Sequence, residues 1–166
     1  MPRRSICLDE SPGWLRMSAA QKNRFQKDEI LFGKLRPYFH KVGVAPCAGI
    51  CSTDILVLTP TDSDWFGFAV GHLSSDELVE HASSIADGTR MPRVNWRDVA
   101  RYEVALPPKS LAAHFSGIIR PWLTQIHHNA EESRALATLR DTLLPKLLSG
   151  EVRVGDSSFA DGKPTA

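Results

Sequence analysis

The last third of the sequence carries a helical repeat that is too long for a small domain to cover. Between Ser110 and Leu148 apolar residues recur at heptad spacing, which is typical of a helix that packs along a partner helix. We therefore expect a long spacer or dimerisation helix over residues 110–150. The positions predicted to pair with another helix are Phe115, Ile119, Trp122, Ile126, Asn129, Leu136, Leu139, Leu143 and Leu147.

Five residues within this helix or at its ends carry further expectations. Pro121 and Pro145 lie inside it, and because proline lacks an N–H and crowds the preceding turn, we expect a kink or break at each. Asn129 lies on the main seam, where it either fixes the pairing register or is an ordinary hydrogen-bonded asparagine. Ser110 is expected to cap the helix, and Gly150 is expected to end it.

The segment ahead of the helix shows alternation and turn signals that predict a small α+β domain with a mixed or antiparallel sheet and short helices. A helix is predicted to begin at Ser74-Ser75-Asp76-Glu77, with a serine cap and acids in its first turn, and to end near Asp87-Gly88. The remaining elements are strands at 28–39 and 50–58, a third strand or buried turn at 65–73, and a short strand near 104–106.

The chain thus divides into four predicted segments. Residues 1–26 are weakly patterned and receive no core assignment. Residues 27–109 form the globular part, residues 110–150 form the long helix, and residues 151–166 are a polar tail that we expect to be disordered. No run approaches the roughly 20 apolar residues of a membrane span, and no apolar run follows the basic first residues, so a cytoplasmic protein with free thiols is expected.

The first predicted strand, within KDEILFGKLRPYF, carries two cations and a proline. Because Pro37 cannot donate to a ladder, an edge strand is expected. The cationic face is either a solvated surface or one that meets an anion. The structural alternative is that Arg36 pairs with an acid such as Asp54, which is itself either an edge residue or a bonded structural one. Alternation puts Leu31, Leu35 and Phe39 on an apolar, packing face, and Ile30, Phe32, Lys34, Arg36 and Tyr38 on the other.

Two cationic clusters are the strongest candidates for a binding site. Arginine suits phosphates and guanine edges, and asparagine suits adenine. Because the 20 Lys and Arg residues nearly balance the 19 Asp and Glu residues, any basic surface must be local. The candidate DNA-binding residues are Lys34, Arg36, Tyr38, Lys41, Arg90, Arg93, Asn95 and Arg97.

The sequence contains no recognisable catalytic constellation. It has no phosphate-binding glycine loop and no Asn-Pro-Pro-aromatic motif of amino-methyltransferases. Cys47 and Cys51 could form a zinc site with His40, His72 or His81, but the spacing is loose and two buried thiols are the expectation. We assign no catalytic residue, metal or cofactor.

Five motifs, in order, resemble the specificity (S) subunit of type I restriction–modification systems. The resemblance covers roughly residues 27–154, and its last motif is the most specific. The motifs are KDEILFGKLRPYFHKV, GICSTDILVLTP, GTRMPRVNW, VALPP and LRDTLLPKLLSGEV.

This resemblance implies a non-catalytic subunit whose target recognition domain reads one half of a bipartite DNA site. The long helix would be the spacer between half-sites, and the implied partners are double-stranded DNA, the methyltransferase (M) subunit and, through the complex, the restriction/translocase (R) subunit. Such subunits have two recognition domains and are more than twice as long, so a truncated form with a partial recognition domain at 27–109 is expected, and pairing with a second copy is open. The alternatives are a helical assembly module that never reads DNA and an enzyme built on the cysteines and histidines.

Overall fold

The computed structural model describes residues 14–17 and 24–152. They fall into two compact units, one reaching Thr124 and the other beginning at Gln125, so that the boundary lies inside the last helix. The elements are β1 (Leu15–Met17), β2 (Arg24–Phe25), β3 (Ile30–Gly33), β4 (Val42–Val44), β5 (Gly49–Ile50), β6 (Ile55–Pro60), α1 (Phe66–Leu73), α2 (Asp76–Ser84), α3 (Trp96–Ala100) and α4 (Lys109–Leu148), with 3-10 turns at Pro37–Phe39 and Ser63–Trp65.

The strands form two antiparallel sheets, which confirms the predicted α+β class. The larger sheet has the order β1-β6-β3-β4, and the smaller sheet pairs β2 with β5. Strand β3 is therefore an interior strand, and the expectation of an edge strand is wrong. The reason is that β3 ends at Gly33, so Pro37 lies outside the ladder and removes none of its hydrogen bonds.

The predicted faces of this strand are also wrong. Ile30 and Phe32 point into the core with 0% and 1% of their surface exposed, whereas Phe39, expected to pack, is 58% exposed. Alternation holds only while the backbone stays extended. It is lost at Arg36, whose φ of 50° turns the chain into the 3-10 helix Pro37–Phe39.

One buried cluster joins the larger sheet to the three short helices. The segment before residue 27, which received no core assignment, contributes Trp14 and Leu15, at 5% and 2% exposure. Burial of apolar surface at this scale is the main force that holds such a domain together. The cluster contains Trp14, Leu15, Ile30, Phe32, Leu56, Leu58, Phe66, Ala69, Leu73, Leu78, Ala82, Val94, Trp96, Val99 and Ala100.

Other predicted elements differ from the structure in type or extent. Residues 65–73, expected as a strand or buried turn, contain the helix α1, because a short run that is apolar on every side suits either element. The expected strand 50–58 is two strands, β5 and β6, separated by a turn. No strand forms near 104–106, where Val104 instead packs against the core from an irregular segment.

Helix α2 begins where the sequence predicts. The Ser75 hydroxyl accepts a hydrogen bond from the Leu78 amide at 3.3 Å, which satisfies one of the free donors of the first turn. The acidic residues Asp76 and Glu77 follow directly and favour the positive end of the helix. The helix ends at Ser84, a few residues earlier than expected.

Helix α4 is continuous through Pro121 and Pro145, so neither proline breaks it, and a kink at either one stays a prediction. A single proline removes one backbone bond, and the neighbouring bonds on both sides keep the chain helical. The cap expected at Ser110 is also wrong, because the helix begins at Lys109 and its first turn closes on the Pro108 carbonyl. Gly150 ends the helix as predicted, with a φ of 74° and its amide bonded to Leu147 O at 3.2 Å.

The first turns of α4 are fastened to α1 through a buried serine. Ser116 Oγ accepts a hydrogen bond from the Gly67 amide at 2.8 Å and donates one to Asp64 O at 2.8 Å. A Cβ atom at Gly67 would lie 2.8 Å from the Ser116 Cα, so only glycine permits this approach. The Arg120 guanidinium covers the Phe66 ring at 4.1 Å. Two carboxylates also pair with Lys109 at the helix start.

No helix in residues 14–17 and 24–152 combines the length and apolar character that a membrane crossing requires.

The close approach of α1 and α4 gives a test with an internal control. Gly67→Ala should lower the free energy of unfolding by about 2 kcal/mol, because the new methyl group meets backbone atoms of Ser116 that cannot yield. Gly71→Ala is the control, since its Cβ would make only an ordinary 3.7 Å contact with Phe115. Urea unfolding followed by circular dichroism measures both variants, and equal effects would contradict this packing.

His72 makes the stability of the domain depend on pH. It lies among the rings of Trp14, Phe68 and Tyr102, and burial lowers its pKa from 6.5 to about 4, while nearby Glu77 raises it slightly. The unfolded chain therefore binds this proton first on acidification, so the stabilisation is complete above about pH 6.5 and is lost as the pH falls towards 4.

We expect the free energy of unfolding to fall by about 2 kcal/mol between pH 7 and pH 5 through His72 alone. His72→Phe should remove this part of the pH dependence while keeping an aromatic ring in the cluster. Urea titrations at the two pH values measure the difference. An unchanged pH dependence in the variant would show that His72 is not the group responsible.

Candidate nucleic-acid interface

The two cationic segments of the sequence lie side by side. The Arg36 amide donates a hydrogen bond to Pro92 O at 2.7 Å, and the Val94 amide donates one to Lys34 O at 3.1 Å. These bonds flank an antiparallel bridge and bring together two clusters separated by about fifty residues of sequence. We call the resulting surface the basic surface, and its cations are Lys34, Arg36, Lys41, Arg90 and Arg93.

A closed loop carries Arg90 at one side of the basic surface. Asp87 and Arg93 exchange two backbone hydrogen bonds of 2.9 and 2.8 Å, which fix the two ends of the loop. Gly88 has a φ of 105°, a conformation that side-chain-bearing residues rarely adopt. Arg90 and Met91 are both exposed on this loop. The loop therefore exposes the side chains of Arg90 and Met91 on a backbone whose two ends are fixed by hydrogen bonds.

Asp54 lies against cations of the basic surface. Its carboxylate accepts hydrogen bonds from Arg93 Nε at 2.9 Å and from Arg93 Nη2 at 3.4 Å. The pKa of Asp54 is lowered chiefly by these bonds, with smaller contributions from the charges of Arg93, Lys34 and Lys41. Asp54 is thus a bonded residue, and its partner is Arg93 rather than Arg36.

Arg36 supports the loop instead of pairing with an acid. Its Nη2 atom donates a hydrogen bond to the Arg90 carbonyl at 3.2 Å. Its Nε atom is buried without a hydrogen-bond partner in the described part of the chain. A charged donor that is desolvated and unpaired is costly, and the Nη2 bond to the Arg90 carbonyl is the contact that fixes this side chain against the loop.

The 3-10 helix next to the loop exposes two aromatic rings. Tyr38 and Phe39 are 53% and 58% exposed, with ring centroids 4.8 Å apart. Lys41 Nζ lies 5.5 Å from the centroid of the Phe39 ring. His40 ends the turn and fastens it to the domain, because its Nε2 atom bonds to Ser74 O at 2.8 Å. These two rings therefore lie next to Lys41, at the edge of the basic surface.

Asn95 and Arg97 are placed at the start of α3, where both are exposed. Asn95 precedes the first helical residue without a side-chain cap bond. DNA binding by Asn95 and Arg97 therefore stays a prediction, as it does for Lys34, Arg36, Tyr38, Lys41, Arg90 and Arg93.

The residues predicted to pair with another helix lie along both parts of α4. In the unit that reaches Thr124, Phe115 lies against α1 and Trp122 is 64% exposed. From Gln125 onward the exposed apolar members are Ile126, Leu136, Leu139, Leu143 and Leu147. Asn129 is exposed too, and its Oδ1 atom accepts a hydrogen bond from Gln125 Nε2 at 2.7 Å. Helix pairing by this set stays a prediction.

The cysteines and histidines considered for zinc lie in separate environments. Cys47 is exposed, so the expectation of two buried thiols is wrong for it. Cys51 is partly buried, and this burial raises its pKa. His40 bonds to α2, whereas His72 and His81 contact the Tyr102 ring. Within residues 14–17 and 24–152, no three His, Cys, Asp or Glu side chains are grouped to hold a metal.

Two features of the site escape the sequence pattern. The Asp54–Arg93 pair joins residues 39 positions apart, and no local periodicity signals it. Exposure of Phe39 depends on the left-handed conformation of Arg36, a residue type that rarely adopts it. Pro37, the next residue, is the sequence feature that indicates a short helix at this point, because proline is common in the first turn of a helix.

The comparisons with known proteins point to one class, the specificity subunits of type I restriction enzymes. No family model matches the chain. The resemblance predicted from the motifs is nevertheless confirmed by two curated relatives.

The first relative is the type I restriction enzyme MjaIX specificity subunit of Methanocaldococcus jannaschii. It is 33% identical over 67 residues, which are 40% of this chain and 16% of that protein. The second is the type I restriction enzyme EcoDI specificity subunit of Escherichia coli, 29% identical over 87 residues, which are 52% of this chain and 19% of that protein. The matched region thus covers less than a fifth of either relative.

Proposed function

We propose that this chain is a non-catalytic DNA-recognition subunit, or part of one, in a type I restriction–modification complex. In this role it directs the methyltransferase and restriction/translocase subunits to one half of a bipartite DNA site in the cytoplasm. The observation that carries the proposal is the joining of two cationic segments into one basic surface by backbone hydrogen bonds. Similarity to two proteins named as specificity subunits supports it.

The electrostatics of the basic surface suit a phosphate backbone. The charges of Lys34, Lys41 and Arg93 act on Asp54, and of these three cations Arg93 is the one that hydrogen-bonds to it. Lys41 and Arg90 are exposed and can reach phosphate oxygens, which position a protein on DNA without reading its sequence. Arg93 then serves mainly to fix the loop, because its fork already binds a carboxylate. Neither a catalytic residue nor a cofactor is required for this role.

The salt dependence of DNA binding tests this proposal. The full chain should bind a fluorescent mixed-sequence duplex, with an affinity that falls steeply between about 50 and 200 mM salt as condensed counterions are released. Lys41→Ala and Arg90→Ala should each weaken binding and reduce the slope of log affinity against log salt by about one. Fluorescence anisotropy measures both quantities.

Arg140→Ala supplies the matched control for this experiment. Arg140 is an exposed cation of α4 that pairs with its neighbour Asp141 and lies outside the basic surface. Its loss should leave both the affinity and the slope unchanged. Equal binding at low and high salt, or equal losses in all three variants, would refute a phosphate-binding role for the basic surface.

A second candidate function is helix-mediated assembly with a methyltransferase subunit or with another copy of the chain. It is favoured by the leucines of α4 beyond Gln125, which remain exposed in the single chain at heptad spacing. A long apolar stripe that is exposed in the single chain usually indicates a surface that packs against another helix. This candidate needs no contact with DNA.

Charge placed on the seam tests the assembly candidate. Leu136→Asp combined with Leu143→Asp should abolish association by desolvating two carboxylates in an apolar seam, while the globular part stays folded. Thr138→Asp, on the opposite side of the heptad, is the control and should assemble like the wild type. Size-exclusion chromatography with light scattering measures the mass, alone and with the methyltransferase subunit. Unchanged masses in the double variant would exclude the seam.

A further inference from the structure

Tyr38 and Phe39 are held in a strained and well-anchored turn. The residues on either side, Arg36 and His40, have left-handed φ angles of 50° and 51°. Non-glycine residues keep such a conformation only where the surroundings impose it, and these positions concentrate at functional sites. Here the buried ring of Pro37 and the bond from His40 to Ser74 O supply that constraint. The two aromatic rings are therefore held in position before any partner binds.

The exposure of these rings is not explained by folding. Tyr38 and Phe39 contact each other, yet more than half of each remains open to solvent. Other aromatic side chains of the domain, such as Trp14 and Trp96, are almost completely buried. Two adjacent exposed rings offer flat apolar faces of the kind on which nucleobases stack.

The charges around the rings favour a nucleic acid over a protein partner. Lys41 lies beside Phe39, and Arg36, just before the two rings in the chain, bonds to the Arg90 carbonyl of the neighbouring loop. Two acids lie near these residues: Asp54 is held by Arg93, and Asp76 lies 3.5 Å from His40 Nδ1. A partner that offers flat rings and anions within a few ångströms of each other is matched by DNA, whose bases and phosphates have this arrangement.

We propose that Tyr38 and Phe39 stack on the faces of DNA bases, while Lys41 binds the adjacent phosphate. This inference rests on the proposed function and adds to it a base-contacting element that phosphate binding does not require. The base faces become available either at a base step that the turn opens in a duplex or in a single strand. Arg36 and His40 are positioning residues for the turn.

Stacking and charge contacts can be separated by their response to salt. Phe39→Ala should weaken binding of the full chain to a mixed-sequence duplex by about tenfold, without changing the salt slope, because no charge is lost. Phe39→Trp should bind as well as the wild type, since it restores a stacking face. Ile50→Ala is the matched control, because Ile50 is an apolar side chain of β5 that is 76% exposed. Circular dichroism of each variant checks its fold.

A fluorescent base reports whether the turn alters base stacking in a duplex. The fluorescence of 2-aminopurine depends on its stacking contacts, so duplexes that carry it should change in fluorescence with the wild-type chain and not with Phe39→Ala. A single-stranded oligonucleotide forms the second arm, and tighter binding there, lost in Phe39→Ala, would identify single strands as the source of the bases.

Three outcomes separate a failure of the stacking inference from a failure of the proposed DNA-binding function. Absence of salt-dependent binding by the wild type would overturn the proposed function itself. Salt-dependent binding that is equal in wild type, Phe39→Ala and Tyr38→Ala would overturn the stacking role alone. Loss of methyltransferase-subunit binding in Phe39→Ala, with DNA affinity unchanged, would assign the turn to a protein contact and also overturn the inference.

Discussion

The backbone pairing between residues 34–36 and 92–94 is the interaction on which the rest of the candidate site depends. It extends the line of β3 beyond the regular sheet and holds the Arg90 loop against the turn that carries Tyr38 and Phe39. The same alignment brings Arg93 to Asp54, so that one carboxylate offsets part of the positive charge that the pairing gathers. Without these bonds the cations would belong to two unrelated loops.

The buried core fixes the position of the pairing between residues 34–36 and 92–94. β3 is interior to the sheet and contributes Ile30 and Phe32 to the buried cluster, which fixes where its continuation begins. Val94, next to the pairing, is buried in the same cluster. The basic surface therefore continues directly from a strand that is fixed by the core, while its strained residues, Arg36 and His40, lie just outside the regular strand.

Local signals in the sequence predicted the elements that depend on local chemistry. Ser75 and the acids after it gave the start of α2, and the heptads gave α4, because caps and periodicity act within a few residues. The segment of α1, apolar except for His72, has no clear period, so its helical conformation could not be predicted from local pattern, and its first turn packs against Ser116 of α4. The proline breaks were overestimated because a long helix tolerates single missing bonds.

The candidate site was predicted in its residue types but not in its geometry. Motif resemblance and charge selected Lys34, Arg36, Tyr38 and the Arg90 segment, whereas alternation assigned Phe39 to the core. The decisive contacts join residues about forty to fifty positions apart, and tertiary pairing of this kind leaves no trace in local periodicity.

Hydrogen exchange of the full chain, with and without a mixed-sequence DNA duplex at low salt, tests the central claim most directly. If the basic surface binds DNA, amides in residues 34–41 and 87–93 should exchange more slowly with the duplex present, and those of α4 beyond Gln125 should not change. Protection confined to α4, or no protection in the two cationic segments while DNA is bound, would contradict the account.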